Sequence, residues 1–149
     1  MTTFQIPQRM DFARTSPRVF KAVLALDAAA REGLDPVLVE LVQIRASQIN
    51  RCAYCIDYHT SDARKAGEAE ERIYQLSAWE ESSLYTVRER AALALTEAMT
   101  RLPEGVSDEV WEEVAEEFEE KELAQLIALI FTVNTWNRMN VTTRKTPGT

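Results

Sequence analysis

Two cap–proline pairs, Ser16–Pro17 and Asp35–Pro36, each stand ahead of a long run with apolar residues at helical spacing. Proline suits the first helical position because its missing N–H is one the helix would leave unpaired, and a Ser or Asp before it can cap the next ones. The first such run, SPRVFKAVLALDAAAREG, is expected to stop at Gly33. The second, DPVLVELVQIRASQIN, offers Val37, Leu38, Leu41, Ile44 and Ala46 as a broad apolar face. Asn50 is expected to end it in the left-handed conformation, so that a third helix can run from about Cys52 to Ala66 and stop at Gly67.

The same punctuation continues to the end of the chain. EAEERIYQLSAW reads as one short helix, and Thr86 with Glu89 forms a capping box that opens TVRERAALALTEAMTRLP, which stops before Pro103. Ser107 opens DEVWEEVAEEFEE, with Val110, Trp111, Val114 and Phe118 expected to face inward, and a last helix begins near Lys121. No strand alternation and no βαβ rhythm interrupts the series, which argues against a thioredoxin fold. The expectation is a single all-α domain over residues 1–149, of about six to seven helices, long enough to bury a core without disulfide staples.

Charge and hydropathy narrow the partners. A formal charge of −7 repels phosphate backbones and no basic stripe offsets it, so no nucleic-acid partner is expected. MTTFQIPQRMDF has no cationic start followed by an apolar run, so it reads as no secretion signal. The greasiest stretch, LAQLIALIFTV (Leu123 to Val133), is too short to span a bilayer and reads as a buried helix or a subunit interface. The expected setting is the cytosol with no membrane partner, where a close-spaced cysteine pair is more often redox-active or metal-binding than structural.

Such a pair occurs in NRCAYCIDYH, which holds both cysteines of the chain and its only histidine. On a helix advancing about 100° per residue, Cys55 lies roughly 60° from Cys52, and His59 roughly 20° from it, so the three share one face. Positions three apart have Cα atoms about 5 Å from each other, within reach of a disulfide that opens and closes without unfolding the helix. A helix starting near Cys52 favours the thiolate of Cys52, whereas His59, one turn beyond Cys55, favours Cys55. Spacing alone does not rank the two. Zinc held by Cys52, Cys55 and His59 is the other chemical option, but the chain has no second Cys/His pair to complete it. Inert packing is the bland one.

The block ELVQIRASQINRCAYCIDYHTSDARKAG resembles the core of the carboxymuconolactone decarboxylase/AhpD-like alkylhydroperoxidase superfamily. The shared pattern is a Glu, eleven residues, CxxC, three residues and a His, met here by Glu40, Cys52, Cys55 and His59. NTWNRMNV also resembles the last helix of small family members. The resemblance implies a helical fold that sets Glu40 against the cysteine face, and a thiol-dependent peroxidase without a cofactor. In that reading Cys55 is the peroxidatic sulfur, Cys52 supplies a proton and resolves the sulfenic acid, and His59 with Glu40 relays protons. It implies a peroxide substrate, a thioredoxin-like or lipoylated thiol reductant, and a homo-oligomer, trimer or hexamer. One departure stands out: the mycobacterial-type enzyme has a histidine directly before the second cysteine, where this chain has Tyr54. The decarboxylase branch lacks the CxxC pair, which sets this chain on the thiol side.

Other residues carry weaker signals. Trp79, Trp111 and Trp136 read as core or subunit contacts, Arg45 and Arg51 as surface charges that could also favour a thiolate, and the acidic run at Glu112 to Glu122 as a solvated face. Asn134 and Asn137, in a greasy helix, need partners if buried and are candidates to line a pocket.

Overall fold

In a computed structural model describing residues 1–149, the chain is helical throughout. The elements are α1 (Phe12–Thr15), α2 (Pro17–Arg31), α3 (Pro36–Ile49), α4 (Ala53–Lys65), α5 (Glu70–Tyr74), a 3-10 helix (Leu76–Glu81), α6 (Val87–Thr100), a 3-10 turn (Leu102–Glu104), α7 (Asp108–Glu117) and α8 (Glu120–Thr143). Eight α-helices replace the expected six to seven. One addition is α1, a single turn capped by Asp11, whose carboxylate accepts from the N–H of Arg14. EAEERIYQLSAW adds no further α-helix, but it is not one helix: α5 ends at Tyr74, and Ala78, with φ −127°, interrupts the 3-10 stretch that follows.

Most caps lie where the sequence put them. Asp35 accepts from the N–H of Val37, Ser107 from that of Val110, and Thr86 with Glu89 closes the reciprocal capping box. Ser16 makes no side-chain cap; its N–H instead closes α1 on the carbonyl of Phe12. The left-handed residue between α3 and α4 is Arg51, with φ 55°, and not Asn50, which stays in the right-handed region. Asn50 is kept there because its side chain is engaged elsewhere.

Helix α3 is the axis of the molecule. It packs against α4, α6 and α8, while α2 lies along α8 and α7 along α6. Accordingly α3 is buried nearly all round, including polar Gln43, Arg45 and Ser47. The larger core joins Leu38, Val39 and Val42 of α3 to Ala92 and Leu95 of α6, Val114 of α7, and Leu126, Leu129 and Ile130 of α8. A second core, around Leu41, Ile44, Leu76, Trp79 and Leu93, lies on the opposite flank of α3. At about 25 cal/mol per Å² of apolar surface removed from water, these cores supply the main drive for folding.

The greasy stretch of α8 is therefore monomer core, since Leu123, Leu126, Leu129, Ile130 and Val133 are all buried within one chain. Its inward face is thus a buried helix, while Phe131 in the same stretch stands 44% exposed. Val114 and Phe118 face inward as expected, but Trp111 does not: it stands 47% exposed on the outer side of α7. No helix of the molecule is long and apolar enough to cross a membrane.

Candidate functional site

The site begins at the turn between α3 and α4. Asn50 donates through Nδ2 to Oδ1 of Asn134 (2.9 Å) and Oδ1 of Asn137 (2.8 Å), both on α8. Asn137 in turn donates to Ser47 Oγ at 3.0 Å, and Asn134 to Thr100 Oγ1 at 3.1 Å. Buried amides are stable only when so satisfied, and here they tie the turn to the longest helix. The left-handed Arg51 then reverses the chain so that the Cys52 N–H reaches the carbonyl of Ser47.

Cys52 caps α4 rather than opening it as a helical residue; its Sγ accepts from the N–H of Cys55 at 3.3 Å. The two cysteines form a disulfide, with Cα atoms 5.3 Å apart. Both are buried, at 2% exposure each, and only Cys55 lines the neighbouring cavity. One turn further along α4, His59 directs Nδ1 at Oε2 of Glu40 on α3, 3.3 Å away. Both atoms are buried and neither has a hydrogen-bond partner, so ring and carboxylate approach closely without an aligned hydrogen bond. A carboxylate beside Nδ1 favours the tautomer protonated there, which leaves the Nε2 lone pair free to act as a base. No hydrogen bond joins His59 to Cys55 directly.

Behind Glu40 stands a chain of charges on α2. Arg31 Nη1 lies 3.8 Å from Glu40 Oε1, its Nη2 donates to Gln43 Oε1 at 3.3 Å, and its Nε donates to Asp27 Oδ2 at 2.7 Å. The other oxygen of Asp27 accepts from Trp136 Nε1 at 3.1 Å. Burial works against the Arg31 cation, but the hydrogen bond and charge of Asp27 and the charge of Glu40 outweigh it and raise its pKa.

The cavity, of about 200 Å³, is walled by Phe20, Leu24, Tyr54, Tyr58 and Trp136, with Cys55, His59 and Asn140 as its polar patch and Asp27, Arg31 and Lys145 at its edge. Phe20 and Trp136 meet edge to face at 5.5 Å, while Tyr54 stacks on Tyr58 at 6.2 Å beneath the Lys145 ammonium. Burial, with the charges of Tyr58 and Asp57, raises the pKa of Tyr54, so its phenol stays protonated at neutral pH. Asn140 Nδ2 donates to Cys55 Sγ at 3.5 Å.

Thus Glu40, Cys52, Cys55 and His59 come together as the motif predicts. Asn134 and Asn137 do not line this cavity; they hold the turn below it. Arg45 is no surface charge, being buried against Glu97 at 3.1 Å, and Arg51 contributes its backbone to the turn. Trp136, read as core or subunit contact, walls the cavity instead. Asp27, Arg31 and Lys145 carry no recognised signal, apart from the four-residue spacing of Asp27 and Arg31, and Asn140 stands only within the NTWNRMNV resemblance, with no role. No group of three His, Cys, Asp or Glu side chains converges to hold a metal ion.

With this geometry established, known proteins give it a context. The uncharacterized protein YdfG of Bacillus subtilis is 40% identical over 136 residues, covering 90% of this chain and 92% of its own. A crystal structure from Agrobacterium tumefaciens, of a protein of unknown function named as a candidate antioxidant defence protein AhpD, is 36% identical. It superposes with a TM-score of 0.93 over 96% of this chain and 99% of that one. The debrominase Bmp8, 21% identical with a TM-score of 0.80 over 90% of this chain and 73% of its own, shares the fold alone. The model of the carboxymuconolactone decarboxylase family matches residues 17–98, a span that includes Glu40, Cys52, Cys55 and His59, and the chain belongs to that family, in its AhpD-like form with a CxxC pair.

Proposed function

We propose that this protein is a thiol-dependent peroxidase in which Cys55 meets the peroxide, Cys52 resolves the product, and His59 with Glu40 moves the proton. The observation that carries the reading is that Cys55, alone of the pair, lines an apolar cavity beside a histidine whose far nitrogen faces a buried carboxylate.

The cycle starts from the dithiol. Cys55 gives its proton to His59 Nε2, and Glu40 stabilises the resulting imidazolium. The thiolate attacks one oxygen of ROOH; an S–O bond forms, the O–O bond breaks, and the departing alkoxide takes a proton from His59, leaving ROH and a Cys55 sulfenic acid. Cys52, losing its own proton to the relay, attacks Cys55 Sγ and expels hydroxide, which takes up that proton and leaves as water. The net change is one peroxide reduced by two electrons and one disulfide formed. A dithiol of the thioredoxin or lipoyl class restores the pair by exchange. Five apolar or aromatic walls around Cys55 favour an organic hydroperoxide over hydrogen peroxide.

The test is peroxide consumption with a dithiol donor. Cys55→Ser should abolish it, and Cys52→Ser should accumulate oxidised Cys55 visible by intact mass. An aryl or alkyl hydroperoxide should be turned over faster than hydrogen peroxide. Wild-type turnover by both mutants would end the proposal. A disulfide that forms with peroxide yet never cycles with any donor would transfer the reading to a redox-sensing oligomer of the same fold.

The reading includes a homo-oligomer, trimer or hexamer, working in a reducing compartment such as the cytosol. Exposed Val19 and Leu24 on α2 and Phe131 on α8 support self-association. Light scattering should give three or six times the chain mass, and a monomer would refute that part.

A further inference from the structure

We infer that Asn140 is a further catalytic residue of this site, whose side-chain N–H holds the Cys55 sulfur in its anionic form before attack. The inference deepens the peroxidase reading and concerns the same sulfur. Asn140 Nδ2 lies 3.5 Å from Cys55 Sγ, and no other side-chain nitrogen or oxygen bonds to either cysteine. His59, which the sequence pairs with Cys55, is turned to Glu40 instead. The thiolate therefore has one built-in side-chain donor, and it comes from α8, not from the motif.

The donor is fixed in place. Asn140 is nearly buried, and its backbone carbonyl accepts from the N–H of Lys145 at 3.0 Å where α8 ends at the left-handed Arg144. The amide thus already points at the sulfur in the disulfide state, where sulfur is a weak acceptor. After reduction the same N–H meets a charged acceptor with no rearrangement, and a preorganised donor then favours the thiolate over the thiol. An amide does not titrate, so this support is independent of pH.

Other groups face Cys55 as well. They are Tyr54, Tyr58 and His59 on its own helix, Asp27 and Arg31 on α2, Glu40 behind His59 on α3, and Lys145 beyond α8. None of them makes a hydrogen bond to the sulfur. Tyr54, at the position where mycobacterial-type relatives carry histidine, stacks on Tyr58 beneath Lys145.

The experiment measures the pH dependence of Cys55 alkylation by iodoacetamide in the Cys52→Ser protein, with thiolate ultraviolet absorbance alongside. Adding Asn140→Leu should raise the apparent pKa of Cys55 by about one unit, which is about tenfold less thiolate below both values. Asn140→Asp, close to isosteric but negative, should raise it further, and it serves if the leucine variant fails to fold. In the protein with both cysteines, Asn140→Leu should shift a glutathione-poised equilibrium towards the disulfide, since the reduced state loses its support. An unchanged pKa in a folded Leu or Asp variant overturns the inference. These readouts need no peroxide: a raised pKa with no peroxide turnover in any variant would uphold Asn140 and sink the peroxidase reading instead.

Discussion

Glu40 shows how little a single residue announces about itself. On α3 it is one carboxylate among apolar neighbours, and its local sequence reads as a solvated helix charge. What gives it a role is the 3.3 Å approach to His59 Nδ1, with Arg31 holding its other oxygen from behind. The motif spacing found it; amphipathic pattern could not. Glu40→Gln keeps the shape and removes the charge that stabilises an imidazolium. It should lower kcat/KM for peroxide by about a hundredfold, the usual worth of a positioned proton relay, while circular dichroism stays unchanged. Equal turnover in the two proteins would remove Glu40 from the mechanism. Asn140, by contrast, sits in the resembling stretch NTWNRMNV without any sign of its role, because its contact with Cys55 spans 85 positions.

At the scale of elements, local chemistry was informative wherever a cap could be satisfied by its own helix. Asp35, Ser107 and the Thr86–Glu89 box need only neighbours within one turn, and all three formed as read. Legibility failed at Asn50, where two demands fell on one residue. Asn50 has the side chain best suited to the left-handed region, but α8 claims that side chain, and Arg51 takes the positive φ in its place. Glu89 also serves twice, capping α6 and accepting from Arg72 Nη2 at 2.8 Å. Burial pushes its pKa up, but the Arg72 hydrogen bond, the Thr86 N–H and the Arg72 charge prevail and hold it below the ordinary carboxylate value. A depressed carboxylate contributes stability that is complete above its unfolded pKa and is lost as pH falls through the folded one. Glu89→Gln should therefore lower Tm by about 2–4 °C near neutrality, roughly 1 kcal/mol, with the gap to wild type closing as pH drops into that acid range. A gap that persists at low pH would show that the charge is not responsible.

Across the whole molecule, α8 is both keel and roof of the site. Its apolar residues complete the larger core, its Asn134 and Asn137 fasten the turn before Cys52, and its Trp136 and Asn140 complete the cavity. Asn137→Leu leaves the amide of Asn50 and the hydroxyl of Ser47 short of a buried partner. It should destabilise the fold by about 2–3 kcal/mol and, by loosening the turn, slow disulfide closure. Unfolding in denaturant and the rate of thiol loss under oxidant would register the two effects, and a neutral result in both would show that the network is dispensable. The exposed Trp111 belongs to this scale too. Helical spacing puts it on the stripe of Val110 and Val114, but α7 is an outer helix packed along α6, and Trp111 at the edge of that stripe stands in water.

By itself the sequence determined the helices, most of their ends, the pairing of Cys52 with Cys55 on one turn, and the four residues of the family pattern. The helices, their ends and the cysteine pairing depend on short-range rules: backbone periodicity, unpaired N–H groups at helix starts, and the reach of neighbouring side chains; the four-residue pattern rests on the family resemblance. Tertiary structure alone decided which cysteine sees the cavity, which face of the greasy stretch of α8 is core, and which polar residues from α2 and α8 line the cavity beside the sulfur. Such choices turn on contacts between positions tens of residues apart, where packing must satisfy every buried amide and charge at once, and no local pattern encodes that outcome.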